Sequence, residues 1–161
     1  MKIKLLVACG LMIFLLAGCG SNPVQDDVIT YMNESLPSVA EQELEAIGLY
    51  DSVSGPNYTD DETMYYTILD EVIPKYRDFI ADLEKIEIET EELAKVHEIY
   101  IDAVNIQNSG FLTILTAIEE QDSEKINEAN EKLTEARKMI REYQTKLDAL
   151  AEEYDVDLIE E

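Results

Sequence analysis

Past residue 24, apolar residues recur every three or four positions along almost the whole chain, the spacing of one face of an α-helix. Over about 24–51 that stripe is Ile29, Met32, Leu36, Ala40, Leu44, Ile47 and Tyr50. The turn formers Ser52-Val53-Ser54-Gly55-Pro56-Asn57 end it. Thr59 and Glu62 then stand three apart, the spacing of a capping box, and predict a second helix running to about 86. Its inward stripe is Tyr65, Leu69, Val72, Tyr76, Phe79, Leu83 and Ile86. Thr90 reads as the next N-cap, with Glu91 and Glu92 complementing the helix dipole. The third helix carries Leu93, Val96, Tyr100, Val104, Phe111, Ile114 and Ile118 to about 120. Asp122 or Ser123 caps the fourth, whose apolar residues from Ile126 through Leu133, Ile140 and Leu147 to Tyr154 alternate steps of three and four.

Four long amphipathic helices with short connections predict an all-α domain, an antiparallel up-down-up-down four-helix bundle. A self-associating coiled coil is the competing arrangement, because the fourth helix keeps a 3.5-residue repeat throughout.

The first residues follow another rule. Lys2 and Lys4 precede an apolar run over 5–17, too short for an ordinary membrane span of about 20 residues and suited to the core of a secretory signal peptide. The run ends in Leu16-Ala17-Gly18-Cys19, which resembles the lipobox of bacterial lipoprotein precursors. The small residues fit a peptidase cleft, and the Cys19 thiol is the nucleophile that takes a lipid. The resemblance implies cleavage before Cys19 and an extracytoplasmic protein held at the cell membrane by lipid on that residue. Asp after the cysteine marks inner-membrane retention in some lipoproteins; here Gly20 follows. The expected organisation is a signal peptide over 1–18, a lipidated N-terminus and linker over 19–25, the bundle over 26–154 and an acidic tail over 155–161.

The leader holds two of the 12 Lys and Arg and none of the 36 Asp and Glu, so removing it takes the formal charge from −24 to −26. Nucleic acid is a poor partner for such a chain, since binding it needs a basic footprint. Basic proteins, cationic peptides and divalent metal cations are the partners that charge allows, and an envelope protein is the expected one. No Lys or Arg occurs from 19 to 74, against 12 acids. Only Cys19 survives removal of the leader, so no disulfide forms within the mature chain.

Pro37 and Pro74 stand inside predicted helices, 19 and 18 residues from Pro56. Each is expected to remove a backbone hydrogen bond and kink its helix at one common height. Folding the chain back twice brings 105–107 and 137–141 to that height, where the third helix turns polar as Asn105-Ile106-Gln107-Asn108. Gln107 falls on the apolar face, so Gln107 and Asn108 either line a mid-bundle pocket or form a satisfied polar layer that fixes register.

His97 has no second histidine at a metal-binding spacing and flanks the apolar face, which reads as a boundary position. Asp155-Val156-Asp157 opens like a calcium loop but lacks the glycine and the closing glutamate. No Gly-x-Ser-x-Gly and no phosphate-cradling glycine loop occurs. The sequence therefore predicts neither catalytic residues nor a cofactor or metal site. Tyr58, beside Pro56 and near Asp51, Asp60, Asp61 and Glu119, is either a lid on the core or an exposed contact residue. The expected role is binding, as an accessory protein of the envelope, with sequestration of cationic ligands as the alternative and an enzyme behind both.

Overall fold

A computed structural model describes residues 22–156, and the regular structure among them is all helical. The signal peptide, Cys19 and residues 157–161 of the tail lie outside the described residues.

The first helical rod comprises α1 (Pro23–Thr30), a π-helical turn at Tyr31–Ser35 and α2 (Leu36–Val53). Asn22 caps it by accepting from the Val24 N–H, and Pro23 occupies the first turn, where its missing N–H costs nothing. The helix thus begins at Pro23, within the 19–25 expected as linker.

The second rod comprises α3 (Asp61–Thr67), a π-helical turn at Ile68–Val72 and α4 (Ile73–Leu83). Its cap is Asp60, one residue beyond the expected Thr59. Asp60 Oδ1 accepts from the Thr63 N–H at 2.8 Å, and that bond holds its carboxyl below the ordinary pKa. Gly55–Asn57 forms a single 3₁₀ turn between the rods, with Gly55 at φ 54°.

The prolines are absorbed by the π turns. Leu36, just before Pro37, donates to the Tyr31 carbonyl, and Ile73, just before Pro74, donates to the Ile68 carbonyl. These five-residue bonds widen the turn where a proline ring would meet the carbonyl four residues back. Each wide turn also adds one residue to the core spacing. Buried positions in the first rod run Val24, Tyr31, Val39, Ala46, Val53: seven apart, except eight across the π turn. In the second rod Ile68 to Tyr76 is eight and Tyr76 to Leu83 is seven.

Part of the expected stripes is overturned. The core of the first rod lies one residue back from the expected face, at Val28, Tyr31, Val39 and Ala46 rather than Ile29, Met32, Ala40 and Ile47, on both sides of its π turn. In the second rod the π turn moves the buried position from Leu69 to Ile68. Ile29 and Leu44 are exposed, Leu44 at 73%, and Leu69 is exposed where Ile68 is buried.

The last two helices are α5 (Glu91–Glu120) and α6 (Ser123–Glu153). Thr90 holds the N-cap position of α5, but its side chain donates rather than caps. Its N–H and hydroxyl both go to buried Asp27 Oδ2, at 2.8 and 2.6 Å, and the Glu89 N–H joins them at 3.1 Å. Asp122 caps α6 by accepting from the Glu124 N–H.

Both helices end in a left-handed residue, Gln121 at φ 53° and Asp155 at φ 52°. The next residue then bonds back five positions, Asp122 to the Ala117 carbonyl and Val156 to the Ala151 carbonyl, as in a Schellman motif. Val156 is buried, so the first two residues of the expected acidic tail close the domain.

α5 and α6 are the most closely packed pair. Ala103, Gly110 and Ala117 recur at seven-residue spacing on α5, and Ala129 and Ala136 on α6, all buried. A Cβ on Gly110 would lie 2.7 Å from Leu133 Cδ2 and 3.5 Å from the Ala129 carbonyl oxygen, so the small residue is what lets the helices close. The expected α6 seam holds at Ala129, Leu133, Ala136, Tyr143, Leu147 and Leu150.

Side-chain bonds tie the elements at both ends. Asp27 holds the turn before α5, and Gln25 Nε2 donates to the Asp155 carbonyl at 3.2 Å. Elsewhere the Tyr65 hydroxyl donates to Glu119, and Gln121 Nε2 donates to Asp61.

Candidate functional site

Tyr100, Val104, Gln107 and Phe111 follow one another along α5 in steps of four, three and four, so one stripe carries three core residues and a glutamine. Gln107 Oε1 is buried and accepts no hydrogen bond. Asn108 Oδ1 is likewise buried and unpartnered, but one residue around the helix it leaves the Gln107 stripe. The two candidates are therefore not brought together.

Gln107 lines a cavity of about 470 Å³ between α2 and α6. α2 contributes Glu43, Leu44, Ile47, Tyr50 and Asp51, and α6 contributes Leu133, Arg137 and Ile140. The groove exists because this seam is open. α2 packs on α4 and α6 packs on α5, but no Cα of α2 comes within 8 Å of one in α6. Leu44 is consequently an exposed apolar rim.

The prolines do not open it. Tyr31 bonds His97, and Glu43 bonds Tyr100, so Pro37 between them lies level with 97–100. Gln107 lies one to two turns further along, level with the groove residues 43–51.

A buried polar line leads away from the groove. The Tyr100 hydroxyl donates to Glu43 Oε2 at 2.6 Å. Burial raises the Glu43 pKa, and the Tyr100 bond opposes that shift. Tyr100 stacks on Tyr143 at 4.5 Å between ring centroids. The Tyr143 and Tyr31 hydroxyls lie 3.1 Å apart, and Tyr31 reaches His97 Nδ1 at 2.9 Å. Burial pushes Tyr31 up to about 12, partly offset by its bond to Tyr143, and raises Tyr100 and Tyr143 as well.

His97 is thus a buried residue, 6% exposed, rather than a boundary one. Burial depresses its pKa, against the Leu83 carbonyl and Glu98. The Tyr31 hydroxyl pairs with it, and the Tyr143 hydroxyl with Tyr31 in turn, which the helical periodicity alone does not reveal.

The cations divide cleanly. Lys75, Lys85, Lys95, Lys125, Lys132, Lys138 and Lys146, all the lysines among the described residues, are each within 3.3 Å of an acid. Among the described residues none of Arg77, Arg137 and Arg141 appears in an ion pair, although acids outnumber basic residues 36 to 12. Arg137 Nη2 makes only a 3.4 Å bond to Thr134 Oγ1.

Tyr58 is not a lid. It is 47% exposed, and its hydroxyl donates to Asp61 Oδ1 at 2.9 Å. Among the described residues no cluster of three or more His, Cys, Asp or Glu is placed to hold a metal ion.

A family model described as uncharacterised lipoprotein PM1805 matches residues 30–155, from the last turn of α1 to the close of α6. The chain belongs to that family. The match covers the folded domain rather than the leader, so it is independent of the lipobox and agrees with it. A lipoprotein is anchored to a membrane by its lipid, and no helix among the described residues is long and apolar enough to cross one. No curated protein and no solved structure matches the chain.

Proposed function

We propose that this lipoprotein is anchored through lipid on Cys19 at the extracytoplasmic face of the cell membrane and acts there as a binding or accessory protein of the envelope. Its rods are taken to run up-down-up-down as an antiparallel bundle, which sets α2 beside α6 as the first and last of four. The observation that carries the reading is the open seam between those two, with an apolar rim and a buried, unpartnered glutamine oxygen at its wall. Binding pockets are typically apolar clefts of about 300–1,000 Å³ with a few convergent polar groups, and this cavity of about 470 Å³ has that make-up. The buried tyrosine line ties the first rod to α5 and α6 beside the groove, through Tyr31, Tyr100 and Tyr143.

A photoreactive residue in place of Leu44 tests the reading in intact cells, against the same probe at exposed Glu131 on α6. The expected result is a crosslinked product at the groove position alone. Equal labelling at both positions would contradict it.

The second reading, loose sequestration of cations, is favoured by the formal charge of −24. Salt separates the two: charge-driven capture weakens steeply as the Debye length falls to about 3 Å at 1 M, while a packed groove persists.

A further inference from the structure

The groove's chemistry narrows its ligand, on the reading that it is a binding site. We propose that it takes a short apolar zwitterion, an amino acid or dipeptide, with the carboxylate on Arg137 and the ammonium towards Glu43 and Asp51.

Size is the first argument. Glu43 to Asp51 spans about 12 Å of α2 at 1.5 Å per residue, and Leu133 to Ile140 about 10 Å of α6. That is too short to seat a partner helix of several turns. A dipeptide, at about 3.5 Å per residue, fits within it.

Charge is the second. The walls carry opposite signs: Glu43 and Asp51 on α2, Arg137 on α6. Among the described residues Arg137 makes no ion pair, whereas every lysine there has found an acid. A planar guanidinium free of carboxylates is suited to take one from a ligand bidentately. The chain's strongly negative field repels a simple anion, and a simple cation would use the acids of α2 but leave Arg137 without a carboxylate. A zwitterion carries no net charge into that field and uses both walls.

Hydrogen bonding is the third. Gln107 Oε1 lacks a donor while its side chain lines the groove. Rotation of the terminal amide turns that oxygen to an incoming N–H, which an ammonium or a peptide group supplies. Leu44, Ile47 and Ile140 then cover the apolar side chain.

The test is calorimetric titration of the full chain, held in phosphatidylcholine nanodiscs, with leucyl-leucine, leucyl-leucinamide and N-acetyl-leucyl-leucine. Leucyl-leucine should bind at least about tenfold more tightly than either blocked analogue, a difference of about 1.4 kcal/mol. Arg137→Gln should erase the preference over the amide, Glu43→Gln the preference over the acetylated form, and Leu44→Glu should weaken all three. Equal binding of the amide, indifferent to Arg137→Gln yet weakened by Leu44→Glu, overturns the zwitterion and leaves the groove. No binding by any probe, or binding indifferent to Leu44→Glu, overturns both.

Discussion

The Tyr31 hydroxyl lies 2.9 Å from Nδ1 of His97, 66 residues away in the chain, and joins the first rod to α5 inside the core. Burial at that position makes the protein's one histidine a pH-sensitive part of its stability.

Burial lowers the His97 pKa in the folded state, so the unfolded chain takes up the proton first as pH falls. The contribution of neutral His97 is fully present above about 6.5, the unperturbed value, and is lost as pH drops towards the lower folded pKa. Thermal melts of wild type and His97→Gln between pH 7.5 and 5 check this. The wild-type advantage should shrink with falling pH. A constant gap would place His97 in contact with solvent.

Gly48 and Gly110 are both helical and should respond oppositely to alanine. Nothing lies within 4 Å of a Cβ built on Gly48, whereas one on Gly110 meets Leu133 at 2.7 Å. Gly48→Ala should stabilise by about 0.5–1 kcal/mol. Gly110→Ala gains the same helix propensity but overpacks the α5–α6 interface at about 1–3 kcal/mol, for a net loss of about 1. Urea denaturation reads both, and a stabilised Gly110→Ala would refute the close approach of the two helices.

Asp27 shows what the sequence leaves hidden. The fold class, the four rods and most of the α6 seam follow from apolar spacing, because that helix is a regular α-helix throughout. In the second rod Val72, Tyr76, Phe79 and Leu83 were legible and only Leu69 was not, because the wide turn before Pro74 shifts the phase there by one residue. In the first rod the core lies one residue back from the expected stripe along its length, since apolar residues stand on both adjacent faces. Gln107 was legible as a polar residue on an apolar stripe, and the groove it lines was not, since an open seam depends on how far α2 stands from α6. Asp27 likewise reads as one acid among 36, although it is buried and accepts three hydrogen bonds that hold the start of α5. Asp27→Ala should cost about 2–3 kcal/mol and Asp27→Asn about half as much, because the amide keeps one acceptor. Chemical denaturation at neutral pH measures both.

The π turn in the first rod carries its own prediction. Removing Asn33 together with Pro37→Ala should restore a seven-residue step between Tyr31 and Val39 and leave a folded, regular helix. Removing Glu41 instead rotates Ala46 and Val53 off the core face by about 100°. Circular dichroism melts should show a cooperative transition in the first variant and its loss in the second. Two equally stable variants would mean that the eight-residue step does not set the register.

The proposed anchoring puts lipid on Cys19, the first mature residue, ahead of the helical domain. Mass spectrometry of the protein extracted from membranes tests that directly. The N-terminal peptide should begin at Cys19 and carry a diacylglyceryl mass on it, with residues 1–18 absent. An intact chain beginning at Met1, with an unmodified Cys19, would contradict it.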